Sequence, residues 1–239
     1  VIDLHCHLLP DVDDGAESLA DSIDMARGLA TLGFQSVCCT PHVPYAMFTR
    51  SPQEVDALRA ELQSALQAEG LALRLLPGGE HHASDVLELL AEGQMLLYPG
   101  NSSFLLEFSL RGFPPRVDEM FFRFQLKRLT PVLAHVERYP EVQLDVKALG
   151  PLRERGCLFL INLSSLANRW DRSSQAAARA VLAAGWVDAV TSDLHGPEGL
   201  EAVSEGLAEL ARLVSPEELR RLTSGCPATL LGCEPPAGE

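Results

Sequence analysis

A single-domain α/β barrel is the fold class that this sequence predicts, and three observations predict it. Short apolar, β-branched runs alternate with longer helical patterns, the signature of a parallel sheet. About seven such units follow one another without a Gly-Ser linker or a repeated motif. His, Asp and Glu residues stand at or just after the C-terminal ends of the predicted strands, the rim where α/β barrels carry their chemistry. The length of 239 residues suits one such barrel. An open doubly wound sheet is the second choice, but the chain has no GxGxxG, Walker loop or GxSxG.

The elements follow in order. Val1 to His5 reads as a strand. Glu17 to Leu32 reads as a helix, with apolar residues at three-to-four spacing and Gly33 as its stop. Gln35 to Thr40 is a strand. Ser51, Pro52 and Glu54 form a capping box at the start of a helix that runs to about Glu69. Leu73 to Gly78 is a strand, Ser84 to Ala91 a helix, Phe104 to Phe108 a strand, and Val117 to about Arg128 a helix. Pro131 to His135 is a strand. Part of Val142 to Arg155 is helical, with a bend expected at Gly150-Pro151. Cys157 to Leu163 is a strand, Ser173 to Ala184 a helix and Val187 to Ser192 the last strand. Helical patterns fill Gly199 to Leu213 and Pro216 to Ser224, with a short turn near Pro227.

Composition bounds the function. A formal net charge of −14 argues against a nucleic-acid partner, which needs a basic face. It leaves a phosphorylated substrate open, because bound metals invert charge locally. No apolar run reaches the roughly 18 residues of a membrane span, and the N-terminus does not read as a signal peptide. The six cysteines include no CxxC pair and are expected to be reduced, as in a cytoplasmic protein.

The chemistry lies in the joint occurrence of nine polar residues. His5-Cys6-His7 is an HxH at a strand end, and residues two apart on a strand share a face. Asp193-Leu194-His195 repeats that spacing on the last strand. Glu80 follows Pro77-Gly78-Gly79, where the backbone turns freely. Glu107 stands in the apolar run Phe104 to Phe108, where an unpaired carboxylate is too costly to bury. His135 ends Pro131 to His135, and Asp14 and His42 complete the set. Imidazoles and carboxylates suit zinc, manganese or iron. Cys6, between two candidate ligands, is expected to point away from the site.

These residues fall into motifs. Asp3-Leu4-His5-Cys6-His7, Asp13-Asp14-Gly15, Thr40-Pro41-His42, Gly79-Glu80, Leu106-Glu107-Phe108, Ala134-His135-Val136-Glu137-Arg138 and Ser192-Asp193-Leu194-His195 resemble, in order, those of the polymerase-and-histidinol-phosphatase (PHP) superfamily. The match is nearest its bacterial protein-tyrosine phosphatase branch, the capsule and exopolysaccharide regulators of the CpsB and YwqE type, and it covers almost the whole chain. The resemblance implies a distorted (β/α)7 TIM-like barrel holding three divalent metals, most often manganese, with iron or zinc as alternatives. Carried over by motif, one ion takes His5, His7, Glu80 and Asp193. A second shares Glu80 and adds Glu107 and His135. A third takes Asp14, His42 and His195. Arg138 matches a family arginine that contacts phosphate.

The expected reaction is hydrolysis of a phosphomonoester by a hydroxide bridging two of the metals. Arg138 neutralises the equatorial oxygens. Water on the third ion, or His42 or His195 in its absence, serves the leaving group. The resemblance implies a phosphotyrosine substrate, such as the tail of a bacterial tyrosine kinase. A small-molecule phosphatase of the histidinol-phosphate type or a promiscuous phosphoesterase, and a non-catalytic metal-binding regulatory module, are the alternatives. The sequence departs from the family after His195, where Gly196-Pro197-Glu198-Gly199 replaces the usual Asn and nearby Arg. Arg111, Arg169 and Arg172 are candidates for the missing phosphate contact. The pair His81-His82 is also unusual; an extra loop ligand and an acid near the leaving group are alternatives, and the expectation is that both are solvated beside the site.

Overall fold

The computed structural model describes residues 1–43, 50–100, 102–167 and 171–234. Among the described residues nine parallel strands carry the frame: β1 Ile2–Cys6, β2 Ser36–Cys39, β3 His42–Val43, β4 Arg74–Leu76, β5 Glu80–His82, β6 Ser103–Glu107, β7 Thr130–Leu133, β8 Leu158–Asn162 and β9 Ala189–Thr191. They pair in the orders β1-β2-β4 and β3-β5-β6-β7-β8-β9. The expected strand at Gln35 to Thr40 is broken at Pro41, which has no N–H for the ladder, and resumes as β3. The strand expected at Leu73 to Gly78 is broken at Pro77-Gly78-Gly79 and resumes as β5. Each pair is one line of chain, so the nine short strands make seven.

The seven also meet end to end. A parallel bridge joins Cys6 to Leu194. The Asp193 N–H donates to the His5 carbonyl at 2.9 Å, and the His7 N–H to the Leu194 carbonyl at 3.0 Å. The first and last strands are therefore neighbours, which favours the barrel over the open sheet. The ring is irregular where β1 shifts register between Asp3 and Cys6.

Helices follow the strands with caps that the sequence supplies. Ser51 accepts from the Glu54 N–H while Glu54 reaches back to the Ser51 N–H, which satisfies two donors at the start of Pro52–Ala68. Ser18 caps Leu19–Thr31 and Asp171 caps Arg172–Ala183. The segment expected to bend at Gly150-Pro151 breaks earlier as well, into Pro140–Leu144, a 3-10 turn Val146–Leu149 and Gly150–Glu154. Asp145, extended at φ −154°, takes the Lys147 N–H on its side chain and ends the first piece.

Strand alternation sorts the apolar core. Leu76, Leu105, Val132, Ala134, Leu160 and Ala189 join Ile2 and Leu4 in one cluster. Their neighbours Leu75, Leu106, Leu133, Phe159, Ile161 and Val190 belong to the larger cluster that includes helix residues. Glu107, Asn162 and Thr191 keep the phase of the first set, which carries them onto the inner face at the strand ends.

Candidate metal and active site

His5 and His7 come from the end of β1 with their Nε2 atoms 3.0 Å apart. Glu80, at the start of β5, places Oε2 at 3.2 Å from His5 Nε2 and 3.4 Å from His7 Nε2. Asp193, beyond β9, places Oδ1 at 3.2 and 3.6 Å from the same two nitrogens. For ligand bonds of about 2.0–2.1 Å, tetrahedral geometry sets ligand atoms roughly 3.3–3.4 Å apart. The two imidazole nitrogens stand 3.0–3.6 Å from each other and from the two carboxylate oxygens, close to that spacing.

A second group adjoins the first through Glu80. His135 Nε2 lies 3.3 Å from Glu80 Oε1 and 3.5 Å from Glu107 Oε1. A third lies toward solvent, where Asp14 Oδ1 stands 3.5 Å from His42 Nε2 and 3.6 Å from His195 Nε2. His42 also turns Nδ1 toward Glu80 Oε2 at 3.1 Å. His7 falls within reach of the third group. All nine sequence-selected residues are thus brought together, with His7 and His42 each touching two groups.

The local structure holds these side chains under constraint. His135 and Asp193 have φ of +35° and +50°, a region costly for residues with a Cβ and typical of functional sites. Asp13, whose role no local sequence signal marks, accepts from His7 Nδ1 at 2.7 Å. It also takes the Gly15 and His42 N–H groups. It thereby fixes the His7 tautomer, with Nε2 turned to the cluster, as outer partners of metal-ligating imidazoles do. Gly15 packs so closely that an added Cβ would lie 2.3 Å from the His7 carbonyl oxygen.

The electrostatics are those of a site built for cations. Glu80 is buried, and neither of its oxygens has a hydrogen-bond partner among the described residues. Imidazole nitrogens of His5, His7, His42 and His135 stand 3.1–3.4 Å from them instead. Burial opposes its charge, yet His5, His135 and His7 hold its pKa well below the carboxylate range. Asp193 is held far down in the same way, against burial, by His5, His7 and His135. The partners shift reciprocally. Burial disfavours charge on His7, but bonds to Asp13, Asp193 and Glu80 keep its pKa well above the usual imidazole value. His135 is raised to about 10 against burial by Glu107 and Glu80. The residues present fit divalent metals: nitrogen and carboxylate donors converge, and the buried Glu80 carboxylate stands between two groups.

The groups open into a cleft of about 530 Å³ whose walls include Leu110, Arg138, Ser164, Glu198 and Glu201. Arg138 reaches Asp193 Oδ2 at 3.7 Å. Arg111 and Arg172 are exposed and do not line this cleft, and Arg169 lies outside the described residues. Cys6 is buried with its thiol toward the Leu194 carbonyl at 3.7 Å, away from the site as expected. Burial pushes its pKa well up.

The expectation of a solvated His81 is corrected. His81 is fully buried, with Nδ1 donating to the Leu105 carbonyl at 3.0 Å and Nε2 accepting from the Leu96 N–H at 3.1 Å. Because β5 continues past Gly79, His81 faces opposite to Glu80, into the packing beside Phe104. His82 is partly exposed, with Nδ1 2.7 Å from Ser84 Oγ.

The family model described as "Capsular polysaccharide synthesis, CpsB/CapC" matches residues 1–231. The chain belongs to this family. It is 34% identical over 196 residues to the tyrosine-protein phosphatase YwqE of Bacillus subtilis, covering 82% of this chain and 77% of that protein. It is 27% identical over 225 residues to the tyrosine-protein phosphatase CpsB of Streptococcus agalactiae, covering 90% and 89%. A solved structure from work on YwqE of B. subtilis and CpsB of Streptococcus pneumoniae, described as unique metal-dependent tyrosine phosphatases, superposes with a TM-score of 0.89. That match has 31% identity and covers 98% of this chain and 95% of the other. A β-aspartyl dipeptidase from Fervidobacterium islandicum shares the fold alone, with a TM-score of 0.58 at 15% identity.

Proposed function

We propose that this chain is a metal-dependent phosphatase of phosphomonoesters, with phosphotyrosine in a protein as its substrate, and that residues 1–239 form one catalytic domain. The observation that carries this reading is the convergence of nine His, Asp and Glu side chains, seven of which line one cleft with Arg138 while His5 and His7 are buried against them. The YwqE and CpsB relatives support the choice of phosphotyrosine.

Three ions, manganese by preference, are assigned to the three groups. His5, His7, Glu80 and Asp193 hold one. Glu80, Glu107 and His135 hold the next. Asp14, His42 and His195 hold the outermost. Divalent ions supply Lewis-acid charge and an activated water at neutral pH. The chain's own residues do the rest. Four carboxylates compensate the ions and leave the filled site net positive for a phosphate dianion. Arg138, on the cleft wall, pairs with phosphoryl oxygens. Where the outermost ion is absent, His42 or His195, on the solvent side, can give the departing phenolate its proton. The natural partner in this reading is the phosphotyrosine tail of a tyrosine kinase in the cytoplasm. No described helix is long and apolar enough to cross a membrane.

The test is an assay of chelated and manganese-reconstituted protein against a phosphotyrosine peptide, histidinol phosphate and an aryl phosphate, with elemental analysis alongside. Two to three equivalents of metal and metal-dependent turnover of the phosphotyrosine peptide are expected. Full activity in the metal-free protein would sink the mechanism, and exclusive turnover of histidinol phosphate would replace the substrate.

A further inference from the structure

Asn162 ends β8 and is fully buried. Its Nδ2 donates to Asp193 Oδ2 at 2.6 Å, and its Oδ1 accepts from the Thr191 hydroxyl at 3.3 Å. The carboxylate fixes which way the amide faces, since only the NH₂ end can serve it, and the Thr191 hydroxyl, which also lies 3.5 Å from the Ile161 carbonyl, meets the other end. The backbone holds the amide in place. The Asn162 N–H donates to Glu137 Oε1 at 3.1 Å, and the same oxygen accepts from the Ser165 hydroxyl at 2.6 Å. All of these residues are buried.

The two oxygens of Asp193 are thereby divided. Oδ1 faces His5 and His7, while Oδ2 is taken by Asn162 and approached by Arg138. A carboxylate turns easily about its last torsion, and the left-handed backbone at Asp193 does nothing to prevent it. Left alone, Asp193 is free to present either oxygen or both to a cation. We propose that Asn162 is a positioning residue: it holds Asp193 as a one-oxygen metal ligand and, through the shared Oδ2, sets the place of Arg138. The proposal rests on the metal-dependent reading above. Fixing an outer oxygen by a buried donor is the general way a protein orients a metal-binding carboxylate.

The variants are Asn162→Ala, which removes the donor, and Asn162→Asp, which keeps the shape but sets a second carboxylate against Asp193. Thr191→Val removes the hydroxyl at the other end of the amide, with its contact to the Ile161 carbonyl, and leaves the bond to Asp193 in place. The readouts are Mn²⁺ affinity by calorimetric titration and the Tm of each chelated protein. Mn²⁺ binding about 10- to 100-fold weaker in both Asn162 variants, with a smaller loss in Thr191→Val and a chelated Tm close to the wild type, is the expected result. Should Asn162→Ala fail to fold, Asn162→Asp carries the test. Affinity within twofold of the wild type in the Asn162 variants would overturn the proposal, as would a lowered chelated Tm with unchanged affinity. Failure of the wild type itself to bind Mn²⁺ would instead overturn the underlying reading.

Discussion

Acidifying this protein from about pH 7 to about pH 4.5 should cost it stability at His81 in particular. In the fold, burial holds the imidazole pKa down to about 4, against an ordinary value of 6.5, although its bond to Leu105 and the nearby Glu80 pull the other way. The unfolded chain therefore binds a proton that the folded chain refuses. Stability falls as pH falls between the two values and falls no further once both states are protonated. The whole gap is worth roughly 3 kcal/mol, with about 2–3 kcal/mol of it lost by about pH 4.5. That is a large share of a marginal fold. His81→Gln keeps an acceptor for the Leu96 N–H but has nothing to protonate. It should lower stability at neutral pH by about 1–3 kcal/mol, because the Leu105 carbonyl loses its donor. Its own acid loss should be smaller than that of the wild type by about 2–3 kcal/mol. Urea unfolding of both chelated proteins at the two pH values measures this difference. Equal acid losses would refute the reasoning, and would mean that His81 is protonated in the fold or that water reaches it.

Three further outcomes follow from the geometry. Asp13→Asn removes the charged acceptor of His7 Nδ1 and should weaken Mn²⁺ binding about 10- to 100-fold, as read by equilibrium dialysis. Cys6→Ser should leave kcat/KM near the wild-type value; a loss of several orders of magnitude with metal content intact would point to a cysteine nucleophile instead. Glu198 sets a carboxylate at the cleft wall where an arginine is expected, so a substrate panel should show less than about a hundredfold preference for phosphotyrosine peptide over aryl phosphate, roughly 2.7 kcal/mol, and Glu198→Arg should raise kcat/KM for the peptide.

The frame was legible because its signals are local and strong. Ser51 and Glu54 specify one helix start, and the apolar runs specify strands whatever they pack against. What escaped was the interruption of two strands. The reading ended them at Thr40 and Gly78, whereas the chain breaks at Pro41 and Pro77-Gly78-Gly79 and then resumes. With Glu80 placed in a loop, the next two histidines had no assigned face and were expected in solvent. With β5 running on, the period-two rule that aligns His5 with His7 separates His81 from Glu80.

The site was legible in its inner layer and not in its outer one, for a different reason. A carboxylate or imidazole at a strand end is rare enough to draw notice, and nine together draw more. Asp13 and Asn162 are ordinary in type and sit beside residues already assigned. Their roles exist only through partners distant in the chain: Asp13 with the His42 N–H, and Asn162 with Asp193. Period-two phase with Leu160 was the one available signal for Asn162, since it forecast an inward amide beside the site.

The buried charges lead to one more consequence. Glu80 and Asp193 stay ionised because His5, His7 and His135 lie against them, and His7 and His135 in turn hold protons well above the ordinary imidazole range. Without metal, protons therefore serve as the counterions of the buried carboxylates. A divalent ion needs the same imidazole nitrogens as lone pairs, so it must expel those protons as it binds. With folded values above neutrality, both imidazoles are charged at about pH 7 before the metal arrives. Binding should then release about two protons, and apparent affinity should rise with pH by up to about tenfold per unit for each proton expelled, levelling off above about pH 10 for His135. Calorimetric titration of chelated protein with Mn²⁺ in buffers of differing ionisation enthalpy counts the protons directly. His7→Asn should bind more weakly and release about one proton fewer. Proton release near zero in the wild type would mean that the cluster is already neutral at its imidazoles, and that the carboxylates are screened by water instead.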